Sequence, residues 1–289
     1  MIFCYILVKI LDCQYIYGKF LYFCYMQKRH ADYKLYFDEL AKGTRDFVIP
    51  YIESIKKIQA GSVVLEVGCG RGGNLYPFLE EKNCKVIGID KGDELEYAQD
   101  FFKDSKNKNN LTLLKCNFYE VNPNSIPKAN IVLVRDVLEH IINRTLFFER
   151  LKEFITSDAI IFVAFPPWRM PFGGHQQGCK NFLLSRMPYY HLFPWCIYEF
   201  ILKTFGEDRD CIDILDEVRQ TKLSICEYKK LLRNGGFKME KETYYLINPS
   251  YKIKFGLNPK ILPGFLKIPA ICDFYTTAHY SIVTQPLSA

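Results

Sequence analysis

No Cys-x-x-Cys pair occurs in this chain, although it carries 11 cysteines, and none of them stands at metal-ligand spacing from a histidine. That excludes the usual zinc-ribbon and zinc-finger frameworks, and the expectation for metal ligands is none. An odd number of scattered thiols reads as small buried hydrophobes in a reducing, cytoplasmic compartment. Also missing is an uninterrupted apolar run of the roughly 20 residues that a spanning helix needs. The apolar stretch from Met1 to Met26 is broken by Lys9, Asp12 and Lys19, and it has neither the basic start nor the small-residue cleavage site of a secretory signal. It is read as an upstream extension over residues 1–30, with a packed helix or a membrane-surface anchor as the alternatives. There is no concentrated basic stripe either: the net charge of +6 is spread along the chain, which argues against a nucleic-acid partner.

What is present is a globular composition, 49% hydrophobic and 24% charged over 289 residues, enough for one large α/β domain over 31–289. Between Ala31 and Ile58, Phe47, Val48, Tyr51, Ile52, Ile55 and Ile58 recur at helical spacing, so a helix is expected to lie over the sheet that follows. Strands and helices then alternate. Strands are expected at Val63–Val67, Lys85–Asp90, Leu111–Lys115, Ile131–Val134 and Ala159–Ala164, with helices at Asn74–Glu81, Leu95–Lys103 and Asn143–Ile155. Apolar strands alternating with amphipathic helices imply a parallel sheet covered on both faces, with ligands at the carboxyl ends of its strands. After Ala164 the rhythm breaks, and 165–224 is read as an aromatic helical insertion at the active edge, a substrate-side lid. It resumes with a helix at Ile225–Arg233, stopped by Gly235, and strands at Phe237–Leu246 and His279–Thr284.

The chemistry centres on Gly68-Cys69-Gly70-Arg71-Gly72-Gly73, which follows the first strand and precedes a helix. Glycine lets backbone approach a ligand closely there. Gly68, Gly70 and Gly73 satisfy a dinucleotide G-x-G-x-x-G, whereas Gly68, Gly70 and Gly72 satisfy the G-x-G-x-G of S-adenosylmethionine enzymes. Glu66, just before the turn, would repel a pyrophosphate but suits a cationic, amino-acid-bearing cofactor. Asp90, ending the second strand, is placed to accept from two ribose hydroxyls and suits either. The fourth strand runs into Arg135-Asp136-Val137-Leu138-Glu139-His140-Ile141.

With those residues in view the chain resembles class I S-adenosylmethionine-dependent methyltransferases, similar to the ubiquinone-biosynthesis and type 11/12 group. Leu65-Glu66-Val67-Gly68-Cys69-Gly70 resembles the first motif of that family and Val86-Ile87-Gly88-Ile89-Asp90 its acidic second. Asp136-Val137-Leu138-Glu139-His140 resembles the segment closing over the adenine and methyl side, and Leu231 to Phe237 the late helix-glycine-phenylalanine turn. The resemblance implies a Rossmann-like, doubly wound, seven-stranded α/β sheet whose last strand is antiparallel and inserted beside the fifth. It also implies S-adenosyl-L-methionine as cofactor, contacted by Glu66, Gly68, Cys69, Gly70, Asp90, Lys91, Asn117, Phe118 and Arg135. Many members carry Asp where this chain has Asn117, whose side-chain oxygen can still accept from the adenine amino group. Phe118 either stacks on the adenine or packs.

Methyl transfer from a sulfonium needs an in-line acceptor and water exclusion more than elaborate catalysis. A hydroxyl acceptor gains from a general base, for which His175 on its Gly-Gly turn is the candidate, ahead of His140, His191 and Glu139. Phe165-Pro166-Pro167-Trp168 follows the fifth strand and lacks the polar first residue of amino-methylating Asn-Pro-Pro-Tyr enzymes, so that comparison is coincidental. Trp168, Phe172, Tyr189, Tyr190, Phe193, Trp195, Tyr198 and Phe200 either shape an acceptor pocket or form the core of a helical lid. The apolar helix after Pro194 would be the part to touch a membrane surface or a second subunit. The expected function is methyl transfer to a small-molecule or glycan acceptor, at oxygen. An NAD(P)-dependent oxidoreductase and a non-catalytic methyltransferase-like scaffold are the alternatives.

Overall fold

In a computed structural model, which describes residues 32–285, the sheet has the order β3-β2-β1-β4-β5-β8-β6-β7. The reading of residues 1–30 as an extension lies outside the described residues. The strands are β1 (Val63–Val67), β2 (Lys85–Asp90), β3 (Leu111–Lys115), β4 (Ala129–Arg135), β5 (Ile155–Phe165), β6 (Lys238–Ile247), β7 (Lys260–Ile261) and β8 (Ala278–Thr284). β1 to β5 are parallel to one another, with Val64, Leu65 and Glu66 of β1 opposite Ile131, Val132 and Leu133 of β4. β8 is antiparallel to both β5 and β6, and so is inserted beside the fifth strand as expected. The sheet is extended from the expected seven strands to eight by the two-residue β7 on the edge of β6. Its order reverses between β1 and β4, which opens a crevice at their carboxyl ends.

The central strands are buried on both faces, as continuous runs of β-branched and aliphatic residues demand. One face, including Leu65, Val132, Ile161 and Val283, packs on α5 (Arg144–Leu151) and α8 (Ile225–Asn234). The other, including Val64, Ile131, Phe162 and Ile282, packs on α3 (Tyr76–Glu80) and α4 (Glu94–Phe102) and under α1 (Tyr33–Gly43) and α2 (Ile49–Glu53). The expected helix over the sheet is therefore there, but Thr44–Val48 between the two is a π turn, and Asp32 caps α1 by accepting from the Leu35 N–H at 2.9 Å. α8 opens on a reciprocal capping box between Ser224 and Glu227. It is capped by Gly235, as expected, but the left-handed residue that reverses the chain is Gly236, at φ +71°.

Between β5 and α8 the chain makes short 3₁₀ turns, then α6 (Trp195–Thr204) and α7 (Arg209–Thr221). This segment has a small core of its own, in which Tyr190 and Tyr198 pack with Leu184, Leu202, Ile212 and Leu215. Trp195 lies against the edge of that cluster, and Phe193 and Phe200 are exposed. Of the eight aromatics expected to shape a pocket, only Phe172 lines the acceptor-side cavity described below. The rest divide between packing and surface because a helix of its own must bury one side of itself first. Among the described residues no helix is long and apolar enough to cross a membrane.

Candidate active site

The glycine turn is built from the end of β1 upward. Gly68 and Cys69 donate their N–H groups to the Ile89 carbonyl at 2.8 and 3.2 Å, which ties the turn to the end of β2. Gly68 sits at φ +74°, and a Cβ added there would lie 2.5 Å from Val137 Cγ2. The segment after β4 therefore closes directly onto the turn, and only glycine leaves room for it. Asp90 then fixes the turn from the side: its two carboxylate oxygens accept from the Gly70 and Gly92 N–H groups, each at 2.7 Å. Each oxygen keeps a lone pair free for a hydroxyl donor.

Beneath the turn lies a buried polar network. Glu66 is fully buried and accepts from Asn74 Nδ2 at 2.7 Å, and its second oxygen has no partner. Asn74 Oδ1 in turn accepts from Thr44 Oγ1 at 2.8 Å and Arg135 Nη1 at 2.9 Å. Burial pushes the Glu66 carboxyl up to about 8, against the opposing Asn74 hydrogen bond and Arg135 charge. Neither Asn74 nor Thr44 was singled out from the sequence; the polar residue between the glycine turn and the helix that starts at Tyr76 was the signal available.

A cavity of about 460 Å³ opens above the turn, a volume in the range of small-molecule sites. It brings together Gly68, Asp90, Lys91, Asn117 and Phe118 of the nine expected cofactor residues. Gly70 reaches it through its hydrogen bond to Asp90. Glu66 and Arg135 lie under and beside the turn, Arg135 on a second, 40 Å³ recess with Tyr36 and Gly43. Cys69 departs from expectation: its side chain is buried in the sheet-and-helix core, so only its backbone belongs to the turn. Asn117 spends one acceptor position on the Tyr119 N–H at 3.2 Å, capping a 3₁₀ turn. Phe118 packs on Phe147 and Phe154 at centroid distances of 5.5 and 5.0 Å, and presents only a small exposed part to the cavity. Val137, from the segment expected to close over the adenine and methyl side, lines the wall together with Ile141, Asn143 and Leu146, which sequence reasoning did not assign.

A second cavity of about 570 Å³ lies on the other side of the segment that ends β4. Asp136, Glu139, His140, Pro166, Phe172 and His175 are among its lining, and His140 lines both cavities. Two of its residues are non-glycine positions in the left-handed region, Asp136 at φ 54° and His175 at φ 58°. Such strain is retained where it sets side-chain direction. The His140 and His175 rings meet edge to face at 5.0 Å. Ligand atoms of Glu139, His140 and His175 all lie within 4.8 Å of one another.

Burial, with the neighbouring His140 and His191 adding to it, pushes His175 down to about 3. The ring is thus neutral at physiological pH and a weak proton acceptor, which argues against the simple general-base role expected of it. Burial also lowers His140, against the charge of Asp136, and raises Glu139 well above the carboxylate range, with Asp136 adding to the rise. His191 is a packing residue: it is buried, pushed down to about 4 by that burial, and bonded to the Trp168 carbonyl at 2.8 Å and to Gln176 at 3.0 Å.

The residues present fit S-adenosylmethionine better than a pyrophosphate cofactor. Asp90 keeps acceptor positions open beside the cavity, as ribose hydroxyls require, and Arg71, the one cation of the turn, is buried and paired with Glu94 at 3.0 Å, which leaves the turn no unpaired cation for a pyrophosphate. Held there, the cofactor's ribose would meet Asp90 and its base the wall from Asn117 to Leu146, with Glu66 and Arg135 supporting the turn from beneath and beside it.

Comparison with known proteins agrees with this geometry. Residues 36–182, just over half of the chain, match a family described as a methyltransferase domain. The chain is 30% identical over 109 residues to (S)-tetrahydroprotoberberine N-methyltransferase of Eschscholzia californica, a match covering 37% of this chain and 30% of that protein. It is 27% identical over 109 residues to (S)-coclaurine N-methyltransferase of Thalictrum flavum subsp. glaucum, covering 37% and 29%. The chain thus spans about a third of the length of these curated relatives. Magnesium protoporphyrin IX methyltransferase from Synechocystis PCC 6803, solved with bound S-adenosylhomocysteine, shares the fold at a TM-score of 0.50 and 13% identity, over 86% of this chain and 84% of that one. The glycine turn, the acid ending β2, the sheet order and the family match converge: the chain belongs to the methyltransferase-domain family, among the class I S-adenosylmethionine-dependent methyltransferases.

Proposed function

We propose that the protein methylates a small-molecule acceptor, at oxygen, in the cavity lined by Glu139, His140, Phe172 and His175. The observation that carries this reading is that two cavities of ligand size share one residue, His140, at their junction. Bound S-adenosylmethionine supplies an activated methyl group on a sulfonium. The chain's own contribution is to hold the two partners in line and to exclude water, the 166–224 segment serving as a lid over the acceptor. His140 and His175 would orient an acceptor hydroxyl where the two cavities join, and its proton would pass to solvent as the bond to the methyl group forms.

A nitrogen acceptor is the second reading, favoured by the names of the two curated relatives, both N-methyltransferases. A small molecule is preferred to a glycan because the cavity, at about 570 Å³, holds few sugar rings. Incubating the full chain with methyl-labelled S-adenosylmethionine and a panel of phenols, sugars and amines tests this. Label is expected in a phenolic or other hydroxyl compound as a methyl ether; label confined to amines would overturn the oxygen assignment and leave methyl transfer standing.

A further inference from the structure

Glu139 is a buried carboxyl whose surroundings do not account for it. It is 3% exposed, and neither of its oxygens has a hydrogen-bond partner. Arg144, the cation beside it, spends Nε on the Leu138 carbonyl at 2.9 Å and Nη2 on the Thr221 carbonyl at 3.1 Å. A carboxyl left this way costs several kcal/mol unless a proton or a cation joins it. The geometry favours a cation, because His140 and His175 bring imidazole nitrogens within 4.8 Å of the same carboxylate, at the edge of an open cavity.

We propose that Glu139, His140 and His175 form a binding site for one divalent transition-metal ion, of the zinc or cobalt class, on the wall of the acceptor cavity. Two imidazoles and one carboxylate are a borderline donor set that leaves coordination positions open. Those positions face the cavity, so the ion selects acceptors that offer an anionic or chelating oxygen. This last step rests on the methyl-transfer reading; the binding of the ion does not. The cysteine spacing that excluded zinc in the sequence does not register this site, because Glu139-His140 follows β4 and His175 follows β5, and only the parallel pairing of those strands joins them.

A second cluster, Cys179, Glu207 and Cys211, has the same closeness but a complete account without an ion. Both Glu207 oxygens accept backbone N–H groups, from Lys180 at 2.9 Å and Asn181 at 2.8 Å. It therefore serves as the control.

The test is a titration of the chelator-stripped full chain with Co²⁺ alone, read by visible absorption, with S-adenosylhomocysteine binding measured on the same samples. One Co²⁺ per chain is expected, with a d–d band and without the near-ultraviolet band of thiolate ligation. His175→Asn and Glu139→Gln should each weaken Co²⁺ binding by more than about a hundredfold, beyond the loss expected even from an outer-shell change. Both are expected to keep S-adenosylhomocysteine affinity, which shows them folded. Cys179→Ser should leave the band unchanged. Absence of a band at excess Co²⁺, a band that persists in both variants, or a thiolate band abolished by Cys179→Ser would overturn the site. A chain that binds Co²⁺ as expected but no S-adenosylhomocysteine would instead overturn the cofactor reading and leave the metal site intact.

Discussion

Replacing Asp90 by alanine is expected to abolish measurable S-adenosylhomocysteine binding while leaving the fold in place. Asp90 holds the Gly70 and Gly92 N–H groups at 2.7 Å each, so its removal frees the turn that forms the floor of the cavity. It also takes away the acceptors intended for the ribose. Hydrogen bonds to a charged group contribute roughly 1.5–3 kcal/mol each, so losing two or more predicts an affinity loss of at least about a hundredfold. The site is at a strand end and not in the core, so far-ultraviolet circular dichroism should not change. Calorimetry on Asp90→Ala and, as the conservative partner, Asp90→Asn checks it. The amide retains one acceptor oxygen and should fall between the two; an Asp90→Ala protein that binds normally would remove Asp90 from the site.

The second large effect is on stability and follows from Glu66. Its carboxyl titrates near 8 in the folded chain and near 4.3 when unfolded. Between those values the folded chain holds a proton that the unfolded chain has released. The stabilisation is therefore complete below the unfolded value and is lost as pH rises through about 8, with a limiting slope of about 1.4 kcal/mol per pH unit. His175 at about 3 and His191 at about 4 act in the opposite direction, but only below the ordinary histidine value of about 6.5. From pH 6.5 to 8 the Glu66 contribution is thus expected to cost about 2 kcal/mol of unfolding free energy. Glu66→Gln keeps an acceptor for Asn74 and removes the titration, so the difference between variant and parent should grow across this window. Urea unfolding at several pH values measures it; parallel pH profiles would show that Glu66 is not protonated in the folded chain.

Much of this site could be read from residues in order. β1, β2 and β3 have the bounds expected of them, because each is a run rich in apolar residues closed by a residue of distinct chemistry: Gly68 after β1, Asp90 at the end of β2 and Lys115 at the end of β3. Glu66 was read by its charge, and Asp90 by its position at the end of β2. What was not legible depended on contacts between distant segments. β5 starts four residues earlier than expected because Ile155 pairs with Ala129 across a register shift, although Thr156, Ser157 and Asp158 look like a loop. β7 has two residues and no pattern to detect. Tyr198 and Phe200 stand two apart on one helix, yet one is fully buried and the other 68% exposed. Composition cannot separate them; only the direction in which α6 packs does. Asn117 was read for a ligand and is partly used as a cap, a competition common for asparagine at a turn. His175 was read as the candidate general base, but its burial, and therefore its weak basicity, is a property of the folded cavity.

The central claim is that the Gly68–Gly73 turn, with Glu66 beneath it and Asp90 beside it, serves a sulfonium cofactor. Isothermal calorimetry on the full chain with S-adenosylhomocysteine and with NADH tests it directly. One equivalent of S-adenosylhomocysteine binding with micromolar affinity, and no heat from NADH, is the predicted result; saturable NADH binding with none for S-adenosylhomocysteine would contradict it.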